Sequence, residues 1–161
     1  MTATPMPATP MTAAPMHSPI LWIHGAALGP ANPALVAWPG RPAVFVFDDA
    51  LIASSALSLK RLGFLYECLL ELPVTIRRGD VASEVLAFAA RHQADGVVTS
   101  AAVDPRFEQL GQAIAARLPL TVLPVEPFVV PEAGAPQPGD LGRFSRFWRR
   151  AEPLVWQRFN G

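Results

Sequence analysis

Five short apolar runs, spaced by amphipathic stretches, constrain this chain more than any other feature. They are Ile20-Leu21-Trp22-Ile23, Ala43-Val44-Phe45-Val46-Phe47, Val74-Thr75-Ile76, Gly96-Val97-Val98-Thr99-Ser100 and Leu120-Thr121-Val122-Leu123. Each is too short for a buried helix, and none shows the apolar/polar alternation of a strand with one wet face. Strands buried on both faces are a property of parallel sheets covered by helices. The segments between them supply those helices. Across 55–72, Leu57, Arg61, Phe64, Leu65, Cys68, Leu69 and Leu72 recur at three- and four-residue steps, and Pro73 stops the run. Asp80 caps a helix reaching about His92, with Val81, Val85, Phe88 and Ala89 on one face. Asp104-Pro105 opens another, carrying Phe107, Leu110 and Ile114. The expected fold is α/β, a doubly wound sheet of five parallel strands, Rossmann-like or flavodoxin-like. We expect flavodoxin-like winding, with the first two strands central.

Three segments follow. Residues 1–19 are rich in Pro, Thr, Ala and Met and are expected to be disordered. All four methionines lie here, which makes Met16 a candidate start of translation. Residues 20–140 form the α/β domain, ending in a Pro/Gly-rich loop. Residues 141–161 form a basic aromatic C-terminal segment with a helix at about 141–151. There Leu141, Phe144, Trp148, Ala151 and Val155 fall at helical spacing beside Arg143, Arg146, Arg149, Arg150 and Arg158.

Thirteen basic and thirteen acidic side chains cancel, which leaves no global basic excess of the kind that favours nucleic acid. Direct DNA binding is therefore not expected. Cys68 is the sole cysteine, so an internal disulfide and a cysteine-based zinc site are both excluded. No apolar run approaches the roughly 20 residues of a membrane span. The uncharged N-terminus lacks the features of a signal peptide, so a cytoplasmic location is the expectation.

In a doubly wound sheet, ligands bind beyond the carboxyl ends of the strands. Here those ends are 24–32, Asp48-Asp49, 77–80 and 100–104. His24 is either a site residue or a loop histidine bonded to backbone. Asp48 and Asp49 either meet a metal or ribose, or cap the following turn. Arg61 either offers its donor fork to an anion or lies solvated on an outer helix face. Cys68 and Trp22 read as core. Neither a GxGxxG loop nor a Walker lysine is present, which argues against a nucleotide-binding stress-type protein. No nucleophile–base set is visible, so no catalytic residue and no metal ligand is assigned.

The order of several segments carries a resemblance. Leu21-Trp22-Ile23-His24 is followed by Asn32-Pro33-Ala34-Leu35, then by Val44-Phe45-Val46-Phe47-Asp48. Arg61-Leu62-Gly63-Phe64-Leu65, Arg78-Gly79-Asp80 with Glu84-Val85-Leu86, Asp104-Pro105, and Phe144-Ser145-Arg146-Phe147-Trp148 come next. In this order they resemble the N-terminal α/β domain of the DNA photolyase/cryptochrome family, without its FAD-binding helical domain. The resemblance covers 20–150. His24, Ala26 and Leu28 stand where the family has Arg, Asp and Arg, and Gln109-Leu110-Gly111 replaces its Arg-Arg-Asp.

The resemblance implies a photolyase N-terminal type of fold and no stand-alone DNA repair, since the FAD site belongs to the helical domain. It also implies an antenna-type cofactor (deazaflavin, a flavin such as FMN, or folate) or a nucleotide, with Arg61 at that pocket. The expected cofactor-binding residues are His24, Asp48, Arg61, Ser100 and Asp104. The alternative is an interaction module that docks on a separate, flavin-binding protein, or self-associates, through Phe144, Phe147 and Trp148.

Overall fold

The computed structural model describes residues 16–54, 57–125 and 144–159. They fall into two compact units, one ending at Val125 and the other beginning after it. Most of the N-terminal tail and of the Pro/Gly-rich loop lies outside the described residues.

The first unit is a five-stranded sheet with every neighbouring pair parallel. Its strands are β1 (Ile20–Ile23), β2 (Ala43–Asp48), β3 (Thr75–Gly79), β4 (Val97–Ser100) and β5 (Leu120–Leu123). Its helices are α1 (Pro33–Ala37), α2 (Asp49–Ala53), α3 (Leu59–Leu70), α4 (Val81–Arg91) and α5 (Pro105–Ala115). The expected fold class is the observed one. The winding differs from expectation, because the order is β3-β2-β1-β4-β5. That is the Rossmann order, in which β1 alone is central, rather than the flavodoxin order. The chain steps outward from β1 through β2 to β3, then crosses back to place β4 on the other side of β1.

Alternate residues of the three inner strands feed two separate cores. Ile20, Trp22, Val44, Val46 and Val97 pack with Val85 and Phe88 of α4 and Ile114 of α5. Leu21, Ile23, Ala43, Phe45 and Val98 pack with Ala34 of α1 and Leu69 of α3 on the opposite face. Period-two geometry with both faces apolar yields continuous apolar runs in the sequence.

The edge strand β3 runs past the apolar triplet through Arg77 and Arg78. Arg77 pairs with Glu84 at 3.0 Å and lies over the Phe88 ring, and Arg78 pairs with Asp49. Charge on an edge strand is a common guard against edge-to-edge pairing. Gly79 ends the strand at φ 151, and a Cβ there would meet Glu84 Cγ at 3.1 Å.

The helix expected across 55–72 is shorter: α3 begins after Ser58, whose hydroxyl accepts from the Arg61 N–H, and ends at Leu70. Leu65 and Leu69 are buried, whereas Phe64 is exposed and Cys68 half-buried, so neither of these two is core. Trp22 is core, as expected. Residues 17 and 18 are tied to the sheet domain: the His17 and Ser18 N–H groups donate to the Asp95 carboxylate, and Arg41 donates to the His17 carbonyl.

The second unit holds α6 (Phe144–Phe159), which continues through Pro153 beyond the expected end at 151. The expected start at 141 lies outside the described residues. Phe144 stacks on Trp148 at 5.9 Å.

Candidate functional site

The strand order reverses between β1 and β4, and a cavity of about 340 Å³ opens beyond the carboxyl ends of β1 and β2, walled on one side by α5. This is the position where a doubly wound sheet binds ligands. Of the expected site residues, His24, Asp48, Arg61 and Asp104 line it, and Arg106 joins them.

His24 follows β1. One ring face meets Phe107 at 5.1 Å, and Phe107 stacks on Trp22 at 5.3 Å. Nδ1 accepts from the Ala26 N–H at 3.3 Å, so Nε2 carries the proton and donates to the Ser100 carbonyl at 2.8 Å. This tautomer is neutral, and burial holds the imidazole below its ordinary pKa, against the smaller opposing effect of the Ser100 carbonyl. Ser100 Oγ lies 3.2 Å from Nε2. It cannot be a nucleophile activated by that nitrogen, because a base must present a lone pair there.

Ser100 is wholly buried and does not line the cavity. The expectation that it contacts a ligand is corrected: it fixes His24 from behind. Asn32 Nδ2 donates to Ser100 Oγ at 3.4 Å and to the Ala27 carbonyl at 2.7 Å. The Asn32 side-chain oxygen caps α1 through the Ala34 and Leu35 N–H groups. Asn32 thus ties the β1–α1 loop to the end of β4.

Asp48 ends β2 with both oxygens engaged. Oδ1 accepts from the Ala50 N–H at 2.9 Å and the Leu51 N–H at 3.4 Å, capping α2. Oδ2 accepts from Arg106 Nε at 2.6 Å and pairs with Nη2. Asp48 lines the cavity, and both of its oxygens already serve as cap and ion-pair partner. Asp104 caps α5, its Oδ1 accepting from the Arg106 N–H at 2.9 Å. Asp104 therefore sets the first turn from which Arg106 reaches Asp48. Arg106 escaped the sequence reading, although its place directly after Asp-Pro, in a helix's first turn at a strand's carboxyl end, was a usable signal.

Arg61 lies at the cavity rim, exposed, and its guanidinium has no ion-pair or hydrogen-bond partner among the described residues. Helix N-termini attract anions through unpaired N–H groups and the helix dipole. Around this cavity the ends of α2 and α5 are already filled by Asp48 and Asp104. The neutral cap of α3, Ser58, leaves Arg61 in that helix's first turn as the cationic group open to an incoming anion. Among the described residues no cluster of His, Cys, Asp and Glu could hold a metal ion. Among them, too, no helix is long and apolar enough to cross a membrane.

No protein-family model matches the sequence. No curated protein matches it either. Among solved structures the chain is similar to the hypothetical protein MJ0577, described as a test case of structural genomics. The TM-score is 0.45 at 13% identity, over 70% of this chain and 99% of that one.

Proposed function

We propose that this chain is a photolyase-related α/β domain that binds a planar heteroaromatic ligand bearing a single anionic group, and that it carries out no DNA-repair chemistry of its own. The carrying observation is the cavity at the strand ends, walled by Phe45, Phe47 and Phe107, with Arg61, which has no partner among the described residues, at its rim. At about 340 Å³ it sits near the lower limit of small-molecule sites, which suits one ring system with a short tail. FMN fits this description; a deazaflavin with one acidic tail group fits it too, and folate would bring one of its two carboxylates to Arg61. ATP fits it poorly, because polyphosphates use backbone N–H cradles at helix N-termini, and carboxylates fill those of α2 and α5. The absence of a nucleophile–base pair in the cavity favours binding over catalysis.

The test is an absorbance spectrum of the purified full-length protein, followed by thermal-shift titration with a deazaflavin, FMN, folate and ATP. A bound chromophore, or stabilisation by one of the first three exceeding that by ATP, supports the reading. A colourless protein stabilised by none of them removes it.

A second reading, docking on a separate flavin-binding protein through α6, draws on its aromatic surface. Phe144 and Trp156 are exposed, and Phe144 is stacked on Trp148. Aromatic and arginine side chains are enriched at interfaces. A pull-down that loses its partner on Trp148→Ala with Phe144→Ala, in a folded protein, favours this reading over the first.

A further inference from the structure

The outward side of α3 packs on little else among the described residues. Its inner side is filled by Leu65 and Leu69. Yet Leu59 is 83% exposed, Leu70 64% and Tyr66 49%. Leu59, Gly63, Tyr66 and Leu70 follow one another at steps of four, three and four, the a/d spacing of a coiled-coil seam. Gly63 lies in the middle of the helix. A Cβ added there would meet nothing within 4 Å. Glycine inside a helix costs roughly 0.5–1 kcal/mol relative to alanine, and no neighbour among the described residues requires it.

The charges on the same side are also unsatisfied. Lys60 lies in the first turn and Glu67 near the last, while no acidic residue occupies the first turn and no basic residue the last. This runs against the helix dipole. Neither Lys60 nor Glu67 has an ion-pair partner among the described residues.

We propose that α3 is a homodimerisation face, on which a second copy of this chain packs its own α3 antiparallel. In that arrangement an a position faces a d position. Tyr66 covers the partner's Gly63 and Leu59 meets the partner's Leu70, so the glycine becomes the recess that admits a ring. Lys60 and Glu67 both occupy e positions, which face each other across an antiparallel seam. Each Lys60 therefore meets the partner's Glu67, twice over by symmetry. A parallel pairing sets e against g, which puts Glu67 beside the partner's Leu62 and leaves both charges without an opposite partner, and it is disfavoured. The seam is short, since twelve residues span about 18 Å, so the dimer is weak. This inference is independent of the cavity, because Arg61 points to a different side of α3.

Sedimentation equilibrium of the full chain from about 1 to about 200 µM is the test, a range that covers weak, micromolar association. Reversible dimerisation is expected. Gly63→Gln abolishes it while leaving the melting temperature of the dilute protein equal or higher, because a better helix former replaces glycine. Lys60→Glu and Glu67→Lys each weaken the dimer by about tenfold, since symmetry doubles the loss of each charge pair. The double variant carrying both restores wild-type affinity. Three results overturn the proposal: a wild-type protein that stays monomeric throughout, a dimer insensitive to Gly63→Gln, or a double charge swap that fails to rescue. A monomer whose seam is covered by its own residues 126–161 falls under the first of these.

Discussion

Asp48 and Arg106, 58 positions apart, form an ion pair that links the end of β2 to the first turn of α5 across the cavity. The carboxylate is nearly enclosed, with its side chain 7% exposed, while the guanidinium reaches solvent. Removing the arginine leaves a carboxylate with only its two capping N–H bonds. Breaking a fully buried pair costs about 3–5 kcal/mol; partial exposure of Arg106 and the surviving cap reduce the expected loss for Arg106→Leu to about 1–2 kcal/mol. Asp48→Asn with Arg106→Leu is expected to recover part of it, because no uncompensated charge remains. Urea denaturation of the four proteins of the cycle checks this. An additive double variant would show that the two side chains do not interact.

His24 gives the fold a pH dependence of defined sign. Burial depresses its pKa below the ordinary 6.5, so between the folded value and 6.5 the unfolded chain binds more protons than the native one. Stability therefore rises with pH through that window, and it is lost as pH falls below about 6.5. Protonation of Nδ1 also breaks the bond from the Ala26 N–H. The contribution reaches at most about 1.4 kcal/mol per pH unit. His24→Gln, which keeps a donor for the Ser100 carbonyl, should remove this slope. Melting temperatures of both proteins from pH 7.5 to about 5 provide the check, and parallel curves would exclude His24 as the source.

What could be read from the sequence follows from which physics is local. The inner strands were legible because both of their faces are buried, so Ile20–Ile23 and the start of Ala43–Asp48 appear as unbroken apolar runs. Asp80 and Asp104 were legible as caps because a short acid before a helix has one dominant use. Strand β3 was legible only to Ile76, since Arg77 and Arg78 continue it through partners remote in sequence, Glu84 and Asp49. The helices α1 and α2 have five residues each, too few to show a period. The winding is a long-range choice of which side of β1 receives β4, and no local pattern encodes it. Proline inside a helix costs about 3 kcal/mol, so a sequence reading stops α6 before Pro153, whereas the helix carries on. In the site, His24, Asp48, Arg61 and Asp104 all line the cavity and Ser100 lies behind His24, but the partners that hold Asp48 and Ser100, namely Arg106, Asn32 and His24, are remote in sequence.

The cap of α4 offers a second pH-linked site of opposite physical origin. The Ser83 side chain and N–H both bond to the Asp80 carboxylate and hold its pKa below 3.8. A depressed carboxylate stabilises the fold above its unfolded pKa, and that contribution disappears as pH falls through the folded value. At neutral pH, Asp80→Ala is expected to cost about 1 kcal/mol, the usual worth of an N-cap. Asp80→Ser should cost less and should flatten the acid limb below pH 3.8. Thermal unfolding at pH 7 and in the acid range resolves the two effects, and equal losses for Ala and Ser at neutral pH would count against the cap.

Arg61 separates the proposed ligand site from the framework that carries it. Its guanidinium is exposed and has no partner among the described residues, so Arg61→Ala should change stability by less than about 0.5 kcal/mol. A ligand whose single anionic group reaches Arg61 should lose about tenfold in affinity, the worth of one charge-assisted contact near 1.4 kcal/mol. Arg61→Lys keeps the charge but loses the planar fork, so it should fall between the two if the anion is a carboxylate or phosphate held by paired donors. The decisive comparison is a titration of all three proteins with FMN and with uncharged riboflavin. Riboflavin should bind all three equally, while FMN should rank wild type, lysine, alanine. An equal loss for both flavins would place Arg61 against the ring rather than the tail. A ranking unaffected by substitution would put the binding site elsewhere on the sheet.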